Sequence, residues 1–203
     1  MSEAKIELKS WDSIHWALIN LADRIRESDF KPEIIIGVSR GGWIPARILS
    51  DLLDEPILAN IRVEFYLGIY ETMKKPAITQ PVSLPVIDKR ILVVDDIVDT
   101  GESLRLVCDE LTKEGGEVLT ATLYHKPWSC FKPDYYFEDV DSWVIFPWEL
   151  YETIKTLGAR MLKEGRDLKY VEEKLTGIGM NARMIKKFLQ PILRGVELED
   201  EGY

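Results

Sequence analysis

The sequence predicts an α/β protein, a parallel sheet core with helices on both faces. Short apolar runs at residues 33–38 and 91–94 have the composition of strands buried on both faces. Amphipathic stretches alternate with them, and Gly or Pro stands at most of the junctions.

The elements follow in order. Ser10 or Asp12 can cap a first helix whose apolar stripe is Ile14, Leu18, Leu21, Ala22 and Ile25. Lys31-Pro32 breaks it before the strand at 33–38, and Gly41-Gly42 turns the chain into a helix at about 43–53. Pro56 precedes a strand near 57–65. Residues 68–85 hold three prolines and no clear period, and read as a long mobile loop. The strand at 91–94 leads into a helix at about 103–113, which Gly115-Gly116 stops before the strand Glu117–His125. Beyond Lys126 the texture changes: Trp128, Phe131, Tyr135, Tyr136, Phe137, Trp143, Phe146 and Trp148 crowd into a short stretch. That stretch reads as a small aromatic lobe at 127–149, set between an α/β core at 1–126 and a helical C-terminal extension at 150–203. The extension's helices are expected near 150–163, 167–176 and 180–190.

Composition narrows the function classes. The chain has 203 residues, 46% hydrophobic and 30% charged, as an ordinary globular domain has. No apolar run approaches the roughly 20 residues of a membrane span, and the first residues lack a signal-peptide core, so a cytoplasmic location is expected. Cys108 and Cys130 form no metal-ligand pattern. A net charge of −9 argues against a nucleic-acid partner and leaves small anions that a local loop can hold.

The densest chemical signal is Asp95-Asp96-Ile97-Val98-Asp99-Thr100-Gly101-Glu102-Ser103, directly after an apolar strand. Ligands of open α/β sheets bind at such carboxyl ends. Backbone N–H groups and hydroxyls of Thr100–Ser103 open a helix and suit a phosphate. Two adjacent acids beside a phosphate suit sugar hydroxyls and hydrated Mg²⁺. A second loop, Ser39-Arg40-Gly41-Gly42, follows the first core strand and adds Arg40 as a permanent cation.

These residues resemble a family. Val93–Ser103 is similar to the signature of type I phosphoribosyltransferases, whose loop holds the ribose and 5′-phosphate of phosphoribosyl pyrophosphate (PRPP). Asp99 in the fifth place resembles the 6-oxopurine branch, and Ser39-Arg40-Gly41-Gly42 the pyrophosphate loop of bacterial xanthine–guanine enzymes. The third likeness is Lys126-Pro127 with Trp143-Val144 further on, similar to the base-binding hood. The resemblance covers about residues 10–149 and implies the type I phosphoribosyltransferase fold. It also implies a purine-salvage glycosyltransferase that makes GMP, IMP or XMP and pyrophosphate from PRPP and a 6-oxopurine.

It assigns roles residue by residue. Asp99 is the catalytic acceptor or relay of the purine N7 proton. Ser39, Arg40 and Gly41 hold pyrophosphate, and Thr100, Gly101, Glu102 and Ser103 hold the 5′-phosphate, Glu102 through its backbone. Asp95 and Asp96 meet the ribose and, largely through water, Mg²⁺. Lys126 donates to O6, Trp143 stacks on the base, and the Val144 carbonyl meets the group at C2. The stretch from Gly68 matches a flap in which Tyr70 is a candidate contact, although Ile69 stands where serine is common. The resemblance further implies a cis peptide at Ser39–Arg40 and a homo-oligomer, with a dimer favoured. The competing reading is a non-catalytic PRPP-sensing regulator, which is expected to lose the hood or gain a basic face; this chain does neither. A PRPP synthetase needs a second similar domain that the chain is too short to hold, and receiver-type phosphoacceptors place their acids on separate strands.

Overall fold

Ile34, Ile36 and Val38 point to one side of a strand and Gly37 to the other, so the strand must be covered twice. The computed structural model of the chain, which describes residues 5–67 and 74–193, does this. In chain order its elements are β1 (Ile6–Leu8), α1 (Trp11–Glu27), β2 (Ile34–Ser39), α2 (Trp43–Leu52), β3 (Leu58–Leu67), β4 (Lys74–Gln80) and β5 (Arg90–Val98). There follow α3 (Glu102–Lys113), β6 (Glu117–His125), β7 (Tyr135–Asp139), β8 (Trp143–Ile145), α4 (Leu150–Lys163), α5 (Leu168–Gly177) and α6 (Ala182–Leu193). The chain divides into two units, one of residues 14–141 and one of the described parts of 1–13 and 142–203.

The larger unit carries a six-stranded sheet in the order β4-β3-β2-β5-β6-β7. Ile34, Ile36 and Val38 pack with Ile91, Val93 and the Leu104, Val107 and Leu111 stripe of α3. Gly37, on the opposite side, lies against Ala46 and the Trp43 backbone of α2, so a helix covers each face. Burying an aliphatic side chain of this size contributes about 1.5–3 kcal/mol, which makes this core the main source of stability. At the entry to the sheet, Glu33 accepts from the Arg90 backbone N–H at 3.1 Å and its carboxylate also meets Lys89 and Arg90. Those contacts, the Arg90 N–H first, draw the Glu33 carboxyl down to about 2. With a folded value below the unfolded one, the tie is present above about 4.5 and is lost as pH falls toward 2.

The structure differs from the sequence reading at several elements. The sheet is not wholly parallel: β4 runs antiparallel to β3 at an edge. It lies inside the stretch read as a loop, because Lys74-Lys75-Pro76 shows no apolar alternation. Lysine and proline are what an edge strand tolerates. β5 continues through Asp95 and Asp96 to Val98, held in register by β6 as far as Val98 opposite His125. Within residues 127–149, β7 pairs parallel with β6 as the sixth strand, while Trp143–Ile145 falls in the other unit. Between Ser10 and Asp12, the cap of α1 is Ser10, which exchanges hydrogen bonds with Ser13 at 3.0 and 3.1 Å.

The other unit pairs β1 with β8 in parallel. Ile145 packs with Ile154 of α4, Val171 and Leu175 of α5, and Ile185 and Leu189 of α6. Asp167 caps α5 by accepting from the Tyr170 N–H at 2.8 Å. These helices fall within one or two residues of the sequence expectation at their starts.

Cys108 on α3 packs against the core, and burial pushes its thiol up to about 12, whereas Cys130 is exposed. At pH 8 a thiol reagent should therefore modify one cysteine per native chain, Cys130, and both after unfolding. Rapid modification of both in the native protein would contradict the packing of α3.

Candidate active site

Strand order places the crevice. From β2 the chain crosses to β3 on one side, and β5 lies on the other, leading on to β6. The carboxyl ends of β2 and β5 therefore flank the point where connections diverge, the place where open α/β sheets bind ligands.

Both sequence-predicted loops lie there. β2 ends at Ser39, whose Oγ accepts from the Asn60 amide at 3.2 Å, and the Ser39–Arg40 peptide is cis as the resemblance implies. The Gly42 N–H donates to the Val38 carbonyl at 2.9 Å, folding the loop back before α2. Gly41 and Gly42 lie hard against β5. A Cβ on Gly41 would overlap the Asp96 carboxylate, and one on Gly42 would overlap the Val94 carbonyl and come within 2.8 Å of the Asp95 Cα. At Gly42, where the neighbours are backbone, no other residue type fits; at Gly41 a side chain would have to push the Asp96 carboxylate out of its place.

Asp95 and Asp96 each use one carboxylate oxygen locally. Asp95 Oδ1 accepts from the Asp96 N–H at 3.0 Å, and Asp96 Oδ1 from the Ile97 N–H at 2.8 Å. Burial, and then the neighbouring Asp96 charge, raise the Asp95 carboxyl well above the usual carboxylate range. Among the described residues no cluster of three His, Cys, Asp or Glu could form a dedicated metal cage. Two adjacent carboxylates at the end of β5 are hard oxygen donors of the kind that suit a hydrated Mg²⁺ arriving with its ligand.

After β5, Asp99 and Thr100 are exposed and Gly101 takes a φ of 88°. The Gly101 N-cap makes no side-chain capping bond, so α3 begins with N–H groups that an anion can claim. Asp95, Asp99, Thr100, Gly101 and Ser103 line one cleft of about 230 Å³, closed on another side by Phe65. A larger depression of about 340 Å³, lined by Arg24 and β7, lies at the sheet edge and holds none of these groups.

Lys126 follows β6 and is buried, its Nζ 5.1 Å from the centre of the Trp128 ring. Trp128 in turn donates its indole N–H to Asp99 Oδ1 at 2.9 Å. By composition Trp128 reads as one of the lobe aromatics; the Pro before it, marking a turn directly after a strand, is the signal for its place. His125 is buried with its Nδ1 2.7 Å from Asp139 Oδ1, and His15 lies on the surface of α1. Trp143 and Val144 sit on β8 of the other unit: Trp143 is 67% exposed, while Val144 is buried and faces Glu7 of β1 in register. Tyr70 lies outside the described residues.

A switch-point crevice with a glycine loop on one strand and an acid–Thr-Gly loop on the next defines a class, the α/β proteins that take phosphorylated ligands at strand ends. The phosphoribosyl transferase domain family matches residues 7–154, and the chain belongs to it. Among curated proteins it is similar to a xanthine-guanine phosphoribosyltransferase of Gluconobacter oxydans, 32% identical over 142 residues, 69% of this chain and 82% of that protein. It is also similar to a hypoxanthine-guanine phosphoribosyltransferase of Saccharomyces cerevisiae, 33% identical over 53% of this chain and 56% of that one. Among solved structures, a purine phosphoribosyltransferase from Pyrococcus horikoshii superposes with a TM-score of 0.65 at 41% identity, covering 71% of this chain and 93% of its own.

The raised carboxyl of Asp95 yields a stability test. Its folded value exceeds its unfolded one, so the native state is penalised increasingly as pH rises above the ordinary carboxylate range. Asp95→Asn should raise the melting temperature of the ligand-free protein by roughly 2–6 °C at pH 7. The gain should shrink toward zero near pH 4, as scanning calorimetry across pH will read. A destabilised variant at pH 7 would contradict the assignment.

Proposed function

We propose that the chain is a purine-salvage phosphoribosyltransferase that joins a 6-oxopurine to PRPP, giving a nucleoside 5′-monophosphate and pyrophosphate. The carrying observation is the abutment of the Gly41–Gly42 loop on Asp95–Asp96, with Asp99 and the open start of α3 following on the same strand end. The purine-acting names of the relatives favour the base.

Each group has a task in this reading. The N–H groups of Thr100–Ser103 bind the 5′-phosphate, with the positive end of α3 behind them. Asp95 and Asp96 accept from the ribose hydroxyls. Ser39, Arg40 and Gly41 take the pyrophosphate, and Arg40 stabilises the charge that grows on it as the C1–O bond lengthens. When bound, Mg²⁺ offsets the negative charge of the PRPP diphosphate. The ribose gains oxocarbenium character before N9 attacks, and the Asp99 carboxylate accepts the proton at N7. Lys126 donates to O6, which an ammonium prefers to an amino group. Trp143 is proposed to stack on the base through its exposed indole, and the Val144 carbonyl to meet the group at C2. Tyr70 keeps its proposed place as a flap contact. Aligning both substrates supplies much of the rate. A cytoplasmic location and a homodimer complete the proposal; among the described residues no helix is long and apolar enough to cross a membrane.

An absorbance assay with PRPP, Mg²⁺ and each purine base tests it. Nucleotide should form from guanine, hypoxanthine or xanthine and not from adenine, and chelation of the metal should stop it. Asp99→Asn should lower kcat by about 100-fold or more. Tight PRPP binding without turnover of any base would instead favour a PRPP sensor.

A further inference from the structure

Lys126-Pro127-Trp128-Ser129 is a tight turn closed by the Ser129 N–H donating to the Lys126 carbonyl at 2.9 Å. Proline at its second place pre-sets the backbone for such a turn. The segment is tied to the loop after β5 on both sides of Asp99. The Lys126 N–H donates to the Val98 carbonyl and the Cys130 N–H to the Thr100 carbonyl, each at 2.9 Å. The Arg105 guanidinium also donates to the Cys130 carbonyl. Gly101 is part of the same seam, since a Cβ there would come within 2.5 Å of Ser129 Oγ and 2.7 Å of Phe131. Two independent stretches of backbone are thus locked together with Asp99 between the anchored residues.

Trp128 is 58% exposed, so core burial does not account for its place. Its contacts use both halves of an indole. The N–H edge, which carries positive character, donates to Asp99 Oδ1 at 2.9 Å. The ring face, which carries negative character, meets the Lys126 ammonium 5.1 Å from its centre. One side chain therefore engages both the carboxylate proposed to take the N7 proton and the ammonium proposed to read O6. On a purine those two atoms are neighbours on one edge.

We infer that Trp128 is a positioning residue for the transfer reaction: its N–H holds Oδ1 of Asp99, leaving Oδ2 to accept the N7 proton, while its ring face aims Lys126 at O6. The inference rests on the reading of Asp99 and Lys126 given above. An exposed carboxylate otherwise samples several rotamers, and fixing one places the acceptor oxygen before the base arrives.

The two contacts can be removed in steps. Trp128→Phe keeps the ring face and loses the N–H; Trp128→Leu loses both. Steady-state kinetics should show kcat falling roughly tenfold in Trp128→Phe with KM for the base within about twofold of the parent. Trp128→Leu should add a rise in base KM of about threefold or more. A merely structural role would move kcat and KM together in both variants, and the exposure of the site leaves folding intact by far-UV circular dichroism. In the double variant Asp99→Asn/Trp128→Phe, kcat should be no lower than in Asp99→Asn alone, because there is no proton acceptor left to position. Losses that multiply, or parental kcat in Trp128→Phe while Asp99→Asn is impaired, overturn the role of Trp128 and leave that of Asp99 standing. An unimpaired Asp99→Asn overturns the proton-transfer reading and the Trp128 inference with it.

Discussion

The close approach of the Gly41–Gly42 backbone to Asp95–Asp96 is the constraint on which the site depends. β2 and β5 are parallel neighbours, so their carboxyl ends lie side by side. Here the β2 loop folds back through the Gly42 N–H to the Val38 carbonyl and rests on the β5 acids. That contact puts a loop able to take an anion beside one able to take a phosphorylated sugar. Neither loop alone would hold a substrate with phosphates at both ends of a ribose.

The same contact sets the electrostatics. Asp95 is pressed against a second carboxylate in a partly buried place, and its charge is disfavoured until something positive arrives. Pressing two carboxylates together costs stability, a common relation between a functional crevice and its fold. The stability lost there is offset by the aliphatic layers around β2 and β5, where Ile34, Ile36, Ile91 and Val93 are buried almost completely.

Where local pattern and tertiary need agree, the sequence was a sufficient guide. The stripe of α1, the apolar cores of β2 and β5, the strand Glu117–His125 and the helical extension were all readable from periodicity and from glycine or proline at the ends. β4 was not, because an edge strand with Lys74, Lys75 and Pro76 owes its existence to its partner β3 rather than to its own pattern. β7 was hidden in a run of aromatics that reads equally as a lobe. The Ser39–Gly42 and Asp95–Ser103 loops could be picked out because their residues are consecutive. The link from Trp128 to Asp99 was not, since it joins residues 29 apart through a turn whose direction no pattern specifies. α5, α6 and most of α4 lie beyond the family match, and they pack around Ile154, Val171, Leu175, Ile185 and Leu189.

If the glycine contact is the organising constraint, a single methyl group should break the site while sparing the fold. Calorimetric titration of Gly41→Ala with PRPP and Mg²⁺ tests this directly. The account predicts PRPP affinity reduced by about 100-fold or more, in a protein whose circular dichroism spectrum matches the parent. An alanine variant that binds PRPP within a factor of about two of the parent would contradict it.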